Sequence, residues 1–261
     1  MGRTPSEPNY KIRPATRENR GKLRILSNTF NYGHPAGPLN SDDADAVLFQ
    51  VILDEASGNI TDEKQSIVLT ANGNPTYSQV ATGSWANLSP GIALDGTGDF
   101  FANVGLTGEL DLGASDNFTV EYVYSSTDQA SGQNMVLVLS NSGTTARVYV
   151  NHRVGDNVIT LFVQDDIANQ VSASFTITAA QANDGNIHKV RVTRADAGNA
   201  QAFWDGQSLG IEGTANVTGA FTFDEVTVGA FEDGTLELDA TLYEVRFSKN
   251  LTNNSGGPGG G

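Results

Sequence analysis

The sequence predicts an all-β domain built as a sandwich of two antiparallel sheets and preceded by an extended N-terminal arm. Between residues 46 and 248, short apolar runs are separated by turn residues, a pattern typical of sandwiches. Glycine is abundant, with 29 residues among 261, and few stretches have a helical period. Many short strands without a long helix therefore predict two packed antiparallel sheets.

About fourteen strands follow one another along this part of the chain. They are predicted at 46–53, 66–70, 91–95, 99–105, 117–126, 134–140, 145–151, 157–164, 170–178, 187–194, 199–205, 208–212, 221–229 and 238–248. Strict alternation in one of them places four residues on one face and three on the other: Phe118, Val120, Tyr122 and Tyr124 against Thr119, Glu121 and Val123. A single helical turn is predicted at 179–184.

The chain divides into three parts. Residues 1–44 form a basic, proline-rich arm, residues 45–252 form the sandwich, and residues 253–261 form a glycine-rich tail. The arm contains five of the eight prolines: Pro5, Pro8, Pro14, Pro35 and Pro38. Because proline fixes φ and has no N–H donor, we expect an extended arm, with one short strand at 22–26. A disordered tail is the alternative for this segment.

Charge is distributed unevenly between the arm and the body. Residues 1–30 carry seven basic and two acidic side chains, a net charge of +5, whereas the other 231 residues carry eight basic and 28 acidic ones, a net charge of −20. The basic residues of the arm are Arg3, Lys11, Arg13, Arg17, Arg20, Lys22 and Arg24. Such asymmetry indicates an interaction tail, and we expect it to bind an acidic protein surface, such as a neighbouring copy. Nucleic acid is not an expected partner, because the body would repel phosphates.

Several classes of protein are excluded or disfavoured. The chain has no cysteine, which removes disulfides, thiolate catalysis and cysteine-based zinc sites. No run approaches the roughly 18 apolar residues of a membrane span, so no membrane partner is expected. Residues 1–8 lack the apolar stretch of a secretory signal peptide, and the product is therefore expected to stay where it is made.

Four groups of residues, in order along the chain, carry a resemblance to a known family. They are 70–74 with 91–100, then 112–122, then 185–194 with 202–206, and finally 244–248 with Leu251. Together they resemble the laminin-G-like jelly-roll domain of the concanavalin A-like superfamily. The segments 71–74 and 95–99 are similar to those of variants common in tailed-phage virion proteins, which implies a viral origin.

Most of these motifs predict structure. Residues 95–99 and the pair Asp205-Gly206 are expected to form tight reversals between strands. Five aromatic residues at strand positions are expected to fill the core between the sheets: Phe118, Tyr122, Phe203, Trp204 and Phe247.

A hydrolase is disfavoured. Glucanases of the same superfamily use three carboxylates on one strand, of which one acts as nucleophile and another as acid/base. Two segments begin in this way, with Glu109 and Asp111 and with Glu237 and Asp239, but neither supplies the third acid. The three histidines are far apart in the sequence and lack the close spacing of a metal site or a catalytic triad: His34, His152 and His188. No enzyme activity and no cofactor are therefore expected.

Calcium is the one ion that the resemblance brings into consideration, because relatives often bind it at one rim of the sandwich. The candidate residues are Asp95, Asp99, Asp165 and Asp166. Acidic loops that simply face water are the alternative, and no ligands are assigned.

Two functions are compatible with these observations. The first is a virion structural protein, most simply a head decoration protein, attached through its arm to the major capsid protein, other virion subunits or copies of itself. The alternative is a carbohydrate-binding adhesin or receptor-binding tail module, which requires exposed aromatic residues at a sheet face or rim. An enzyme would require an acid pair about 5 to 10 Å apart in a groove.

Overall fold

The computed structural model describes residues 47–82, 85, 88–127, 133–153, 157–194, 199–214 and 217–249. These residues form sixteen strands and one short helix. All strand pairs are antiparallel, and the strands form two sheets of eight. The predicted two-sheet antiparallel sandwich is confirmed.

The first sheet contains the longest strand of the domain near its centre. In spatial order its strands are β14 (Gln207–Thr214), β13 (Asn199–Trp204), β12 (Ile187–Arg194), β7 (Phe118–Ser125), β16 (Asp239–Lys249), β5 (Gly91–Asp95) and β4 (Thr76–Gln79). The eighth strand, β1 (Val47–Ile52), pairs with the C-terminal half of β16, beyond the part that pairs with β5.

The second sheet faces the first across the core. In spatial order its strands are β11 (Gln170–Thr176), β10 (Val158–Gln164), β9 (Arg147–Arg153), β8 (Gln133–Ser140), β15 (Glu225–Val228), β6 (Phe100–Asn103), β3 (Val68–Asn72) and β2 (Ile60–Thr61). The order places β11 at one edge of the sheet, next to β10 alone.

The core lies between the two sheets and is rich in phenylalanine. Phe49, Phe118, Phe221 and Phe247 are completely buried there, together with valine and leucine from both sheets. Each such side chain stabilises the fold by about 1.5–3 kcal/mol. The alternation predicted for β7 is confirmed, because Phe118, Val120, Tyr122 and Tyr124 all lie in this core.

One core prediction is wrong. Phe203 lies on the outer face of the first sheet, half-buried, whereas its neighbour Trp204 is buried in the core. Successive residues of a strand point to opposite faces, so Phe203 and Trp204 cannot both face inward. The other four aromatic residues predicted in the core are buried there.

The predicted turns and the helical turn are present. Asp205 and Gly206 have φ of 48° and 81°, as a two-residue type I′ turn requires, and join β13 to β14. The helix α1 (Ala179–Ala182) begins after Thr178, whose hydroxyl accepts a hydrogen bond from the Gln181 N–H while the Gln181 side chain accepts one from the Thr178 N–H. Within the described ranges, no helix is long and apolar enough to cross a membrane.

A second, smaller hydrophobic cluster lies on the outer face of the first sheet. Trp85 and Leu88, from the connection between β4 and β5, pack with Val123, Ile187 and Tyr243 of the sheet. Part of this outer face is therefore covered by the chain itself.

Candidate functional site

The basic residues predicted to attach the arm lie outside the described residues. They are Arg3, Lys11, Arg13, Arg17, Arg20, Lys22 and Arg24. The strand predicted at 22–26 and the histidine at position 34 lie in the same segment. Attachment through the arm stays a prediction.

A row of aromatic rings lies on the outer face of the second sheet. Val148 and Leu161 point into the core, so the next residues, Tyr149 on β9 and Phe162 on β10, point outward. These two residues are directly opposite each other in the strand pairing. Their rings are nearly parallel, with an interplanar angle of 8° and centroids 4.7 Å apart. Phe231, from the loop between β15 and β16, meets the ring of Tyr149 edge-on at 6.1 Å.

The row of rings ends in an ion pair. The guanidinium carbon of Arg147 lies 5.0 Å from the centroid of the Phe231 ring. Its Nε donates to Oε2 of Glu232 at 3.0 Å, and its Nη2 donates to Oε1, so the pair is bidentate. The side chains of Arg147 and Glu232 are 31% and 24% exposed. We call Arg147, Tyr149, Phe162, Phe231 and Glu232 the aromatic face.

Uncharged polar side chains border the aromatic face. Four exposed residues point outward from the edge strand β11: Gln170, Ser172, Ser174 and Thr176. Ser172 is opposite Phe162 in the strand pairing, so the cross-strand neighbour of that ring is a small side chain. In the described part of β9, β10 and β11, no outward position is acidic, although the chain carries a net charge of −15. The surface thus combines apolar rings with hydroxyl and amide groups that can donate and accept hydrogen bonds.

The outer face of the first sheet carries a row of charged side chains instead. Glu121 on β7 lies between Arg246 on β16 and Arg191 on β12 in the strand pairing. The Nζ of Lys189 is 3.3 Å from Oε1 of Glu121, and Nη1 of Arg246 is 3.9 Å from Oε2. The guanidinium of Arg191 stacks on the ring of Phe203 at 4.0 Å. Glu121 is only 1% exposed, although its strand position points away from the core.

Two carboxyl groups in this row have pKa values displaced in opposite directions. Burial raises the pKa of Glu244 to about 7, and the nearby guanidinium of Arg246 offsets this only in part. Burial also opposes ionisation of Glu121, but the charges of Lys189, Arg246 and Arg191 outweigh it and lower its pKa. A carboxyl pair with separated pKa values is the arrangement used in glycoside hydrolysis. Here both residues are buried, at 1% and 4% exposed, so neither carboxyl group is presented to a substrate.

One of the two acid pairs singled out in the sequence makes hydrogen bonds to loop residues. The carboxylate of Glu109 accepts hydrogen bonds from the N–H and hydroxyl of Thr107. Asp111 accepts one from the N–H of Phe223 at 2.8 Å. Of the other pair, Asp239 is the first residue of β16 and Glu237 lies just before that strand.

The aspartates considered for calcium are in two separate loops. They are Asp95 and Asp99 in one, and Asp165 and Asp166 in the other. Asp165 accepts hydrogen bonds from the N–H groups of Asn169 at 2.8 Å and Gly219 at 2.7 Å, and Asp99 accepts one from Asn74 at 2.6 Å. Among the described residues, no three His, Cys, Asp or Glu side chains are placed to hold a metal. Oxygens of Asp99 and Asp165 thus already accept hydrogen bonds from backbone N–H groups.

Two histidines that are distant in sequence pack against the same tyrosine ring between the sheets. The ring of Tyr124 lies 4.8 Å from that of His152 and 6.3 Å from that of His188. Nδ1 of His188 is 2.7 Å from Asp205, and Nε2 is 3.0 Å from Asp184. The sequence spacing did not predict this shared contact. The contacts of His188 join β12 to the β13–β14 turn and to the segment after α1.

The aromatic face was also missed in the sequence, although a signal for it exists. In β9, Tyr149 alternates with core valines, and in β10, Phe162 alternates with Leu161 and Val163 of the core. An aromatic residue at the outward position of two consecutive strands indicates a surface ring pair.

Comparison with known proteins identifies the fold but no family. No protein-family model and no curated relative matches the sequence. Solved structures do match, among them the receptor binding domain of botulinum neurotoxin C/D mosaic serotype, with 13% identity and a TM-score of 0.56 over 78% of this chain. The binding domain of botulinum neurotoxin DC, in complex with rat synaptotagmin II, matches with 8% identity and a TM-score of 0.55 over 78% of this chain.

A third solved structure is of botulinum neurotoxin type C, whose cell entry depends on interaction with two ganglioside molecules. It matches with 9% identity and a TM-score of 0.57 over 79% of this chain. The chain covers 48% of each of these three solved chains, about half their length. The likeness shows a β-sandwich shared with the receptor-binding domains of toxins. Membership of the laminin-G-like family and a viral origin stay predictions.

Proposed function

We propose that this chain is a non-catalytic carbohydrate-binding module and that the aromatic face is its binding site. The observation that carries the proposal is the parallel pair of rings, Tyr149 and Phe162, on an outer sheet face bordered by uncharged hydrogen-bonding groups.

The chemistry of this surface matches that of a sugar. A pyranose has apolar C–H faces and a rim of hydroxyl groups, so it binds where an aromatic ring adjoins donors and acceptors. Phe162 supplies the ring, and Ser172 and Gln170 on the adjacent strand supply hydroxyl and amide groups. The pairings of β9 with β10 and of β10 with β11 are regular and have no register shift. These groups are therefore held in place before a ligand arrives.

The structural neighbours support a binding role of this kind. One of them is the receptor binding domain of a neurotoxin, and another belongs to a neurotoxin whose cell entry depends on interaction with two ganglioside molecules. Such a role also accords with the buried state of the Glu121 and Glu244 carboxyl groups.

The other function is that of a head decoration protein of a virion. One observation favours it: residues 1–30 carry a net charge of +5, and the other 231 residues carry a net charge of −20. In this proposal the arm, residues 1–44, binds the major capsid protein, other virion subunits or copies of the same chain, and the sandwich is displayed outward. Deletion of residues 1–40 is expected to abolish association with particles, and retained association would contradict it. Glycan binding by the displayed domain would be compatible with this location.

A glycan array, with two single variants, tests the carbohydrate-binding proposal. Phe162→Ala removes a ring of the aromatic face, and Phe203→Ala removes a half-buried ring from the outer face of the other sheet. We expect Phe162→Ala to weaken glycan binding roughly tenfold or more, and Phe203→Ala to leave it unchanged. Absence of binding by the wild-type protein across a broad array, or equal effects of the two variants, would contradict the proposal.

A further inference from the structure

We infer that Glu232 determines the ligand class of the aromatic face: by occupying Arg147, it makes the face selective for uncharged glycans over acidic ones. The inference rests on the proposed carbohydrate-binding function and adds to it the class of sugar and the residue that selects it.

The geometry of the ion pair is the first argument. A guanidinium is the side chain best suited to bind a carboxylate through two parallel hydrogen bonds, as sialic acids and uronic acids would require. In this domain Nε and Nη2 of Arg147 already make such a bidentate contact with Glu232. The ring of Phe231 lies against the same guanidinium and further fixes the position of the Arg147 side chain.

The position of the ion pair relative to the rings is the second argument. Arg147 and Tyr149 are two residues apart on β9, so their Cα atoms are about 7 Å apart and their side chains share one face. In the strand pairing, Gln164 lies opposite Arg147, just as Phe162 lies opposite Tyr149. A sugar stacked on the rings therefore has substituents within reach of Arg147 and Glu232.

Local charge is the third argument. An acidic sugar would have to displace the carboxylate of Glu232, which is tethered beside Arg147 and hence present at high effective concentration. It would also approach other negative charges. The pKa of Glu225 is raised, first by burial and then by the charges of Glu232 and Asp224, as expected of a site with negative potential. Attraction at Arg147 is thus cancelled and repulsion remains, which disfavours an acidic ligand.

Glu232→Gln tests the inference, because it keeps the shape of the side chain and removes the charge that holds Arg147. The control is Asp233→Asn, which removes the neighbouring acidic charge from a fully exposed side chain without freeing the guanidinium. The probes are matched pairs on an array. Each pair consists of an uncharged oligosaccharide and the same oligosaccharide carrying one sialic or uronic acid. A second variant, Arg147→Gln with Glu232→Gln, removes the freed cation.

We expect Glu232→Gln to raise the ratio of acidic to uncharged binding within each matched pair about fivefold. The gain should vanish in the double variant and at high salt, and should be absent in Asp233→Asn. An unchanged ratio of acidic to uncharged binding in Glu232→Gln would overturn the inference, as would a wild-type domain that prefers the acidic members. These outcomes leave carbohydrate binding intact. By contrast, failure of every probe to bind, or full binding by Phe162→Ala, would overturn the proposed function and this inference with it.

Discussion

The Nδ1 atom of His188 lies 2.7 Å from Oδ2 of Asp205, and this contact joins β12 to the tight turn between β13 and β14. The other carboxylate oxygen of Asp205 accepts a hydrogen bond from the N–H of Lys189 at 2.9 Å. On its far side, His188 contacts Asp184 at 3.0 Å. A histidine between two carboxylates makes the stability of this corner depend on pH.

Replacing His188 should therefore change the pH dependence of stability above pH 6.5. Burial alone would lower the pKa of His188, but the hydrogen bonds to Asp205 and Asp184 outweigh it and raise the pKa above the ordinary 6.5. A raised pKa stabilises the fold fully below the unfolded-state value, and this stabilisation is lost as pH rises through the folded-state value. The wild-type free energy of unfolding should fall relative to that of His188→Gln as the pH rises above 6.5, as measured by urea denaturation. Parallel profiles would rule out this role of His188.

His152 should make the fold less stable as the pH falls, the opposite of the effect of His188. Burial lowers its pKa to about 3, so the folded protein keeps a neutral ring while the unfolded chain takes up a proton below pH 6.5. Stability should then fall by up to ~1.4 kcal/mol per pH unit as pH decreases from 6.5, relative to His152→Gln. Urea denaturation of both proteins at about pH 6 and about pH 4.5 measures the difference, and the carboxyl groups common to both cancel. A constant difference between the two proteins would show that His152 titrates normally.

The adjacent residues Trp204 and Phe203 provide a test of the faces of β13. Trp204→Ala removes a core side chain that is 4% exposed and should cost about 3–5 kcal/mol. Phe203→Ala removes a half-buried ring and its stacking with Arg191, and should cost about 1 kcal/mol. Chemical denaturation gives both values, and equal losses would mean that the assigned faces are wrong.

Gly73 should tolerate substitution far less than Gly58. Both have a left-handed φ, of 71° and 78°, which costs an alanine about 1 kcal/mol. A Cβ at Gly73 would also collide with Oδ1 of Asp99 and the carbonyl oxygen of Gly98, whereas a Cβ at Gly58 meets nothing within 4 Å. We expect losses of about 3 kcal/mol for Gly73→Ala and about 1 kcal/mol for Gly58→Ala in thermal or chemical unfolding. Similar losses at the two positions would contradict the close approach of the 95–99 turn.

Glu121 should be essential for stability because it is the buried anion among three cations. Glu121→Gln removes the buried charge that Lys189, Arg191 and Arg246 face together, although Arg246 keeps its contact with Glu244 at 3.0 Å, and this should cost about 3 kcal/mol or more. Glu212→Gln, at an exposed position, should change stability by less than about 0.5 kcal/mol. Denaturation in urea gives the free energy of unfolding of both variants. A loss of stability for Glu121→Gln no greater than that for Glu212→Gln would show that the charged side chains around Glu121 do not stabilise the fold together.

Much of the fold could be predicted because alternation is a local property of a strand. In β7 the alternation identified the core side of every residue from Phe118 to Tyr124. Two strands were missed, β2 and β4, since β2 has only two residues and β4 lies at the sheet edge with no buried side chain. Alternation was also the rule that should have separated Phe203 from Trp204.

The candidate site was harder to predict because it depends on strand pairing. The stacking of Tyr149 on Phe162 needs the register of β9 and β10, which no single strand encodes. The contacts of Arg147 with Phe231 and Glu232 join residues that are distant in sequence. Long-range contacts of this kind follow from the packing of the whole domain and have no short sequence signature.

The position of a bound sugar tests the central proposal most directly. The measurement is a titration of the isotopically labelled domain, followed by amide NMR shifts, with the uncharged oligosaccharide that binds best on the array. We predict saturable shifts concentrated in β9, β10 and β11, including those of Tyr149, Phe162 and Ser172, with little change in the first sheet. Absence of saturable shifts with any array ligand, or shifts concentrated around Glu121 and Phe203 on the first sheet, would contradict the aromatic face as the binding site.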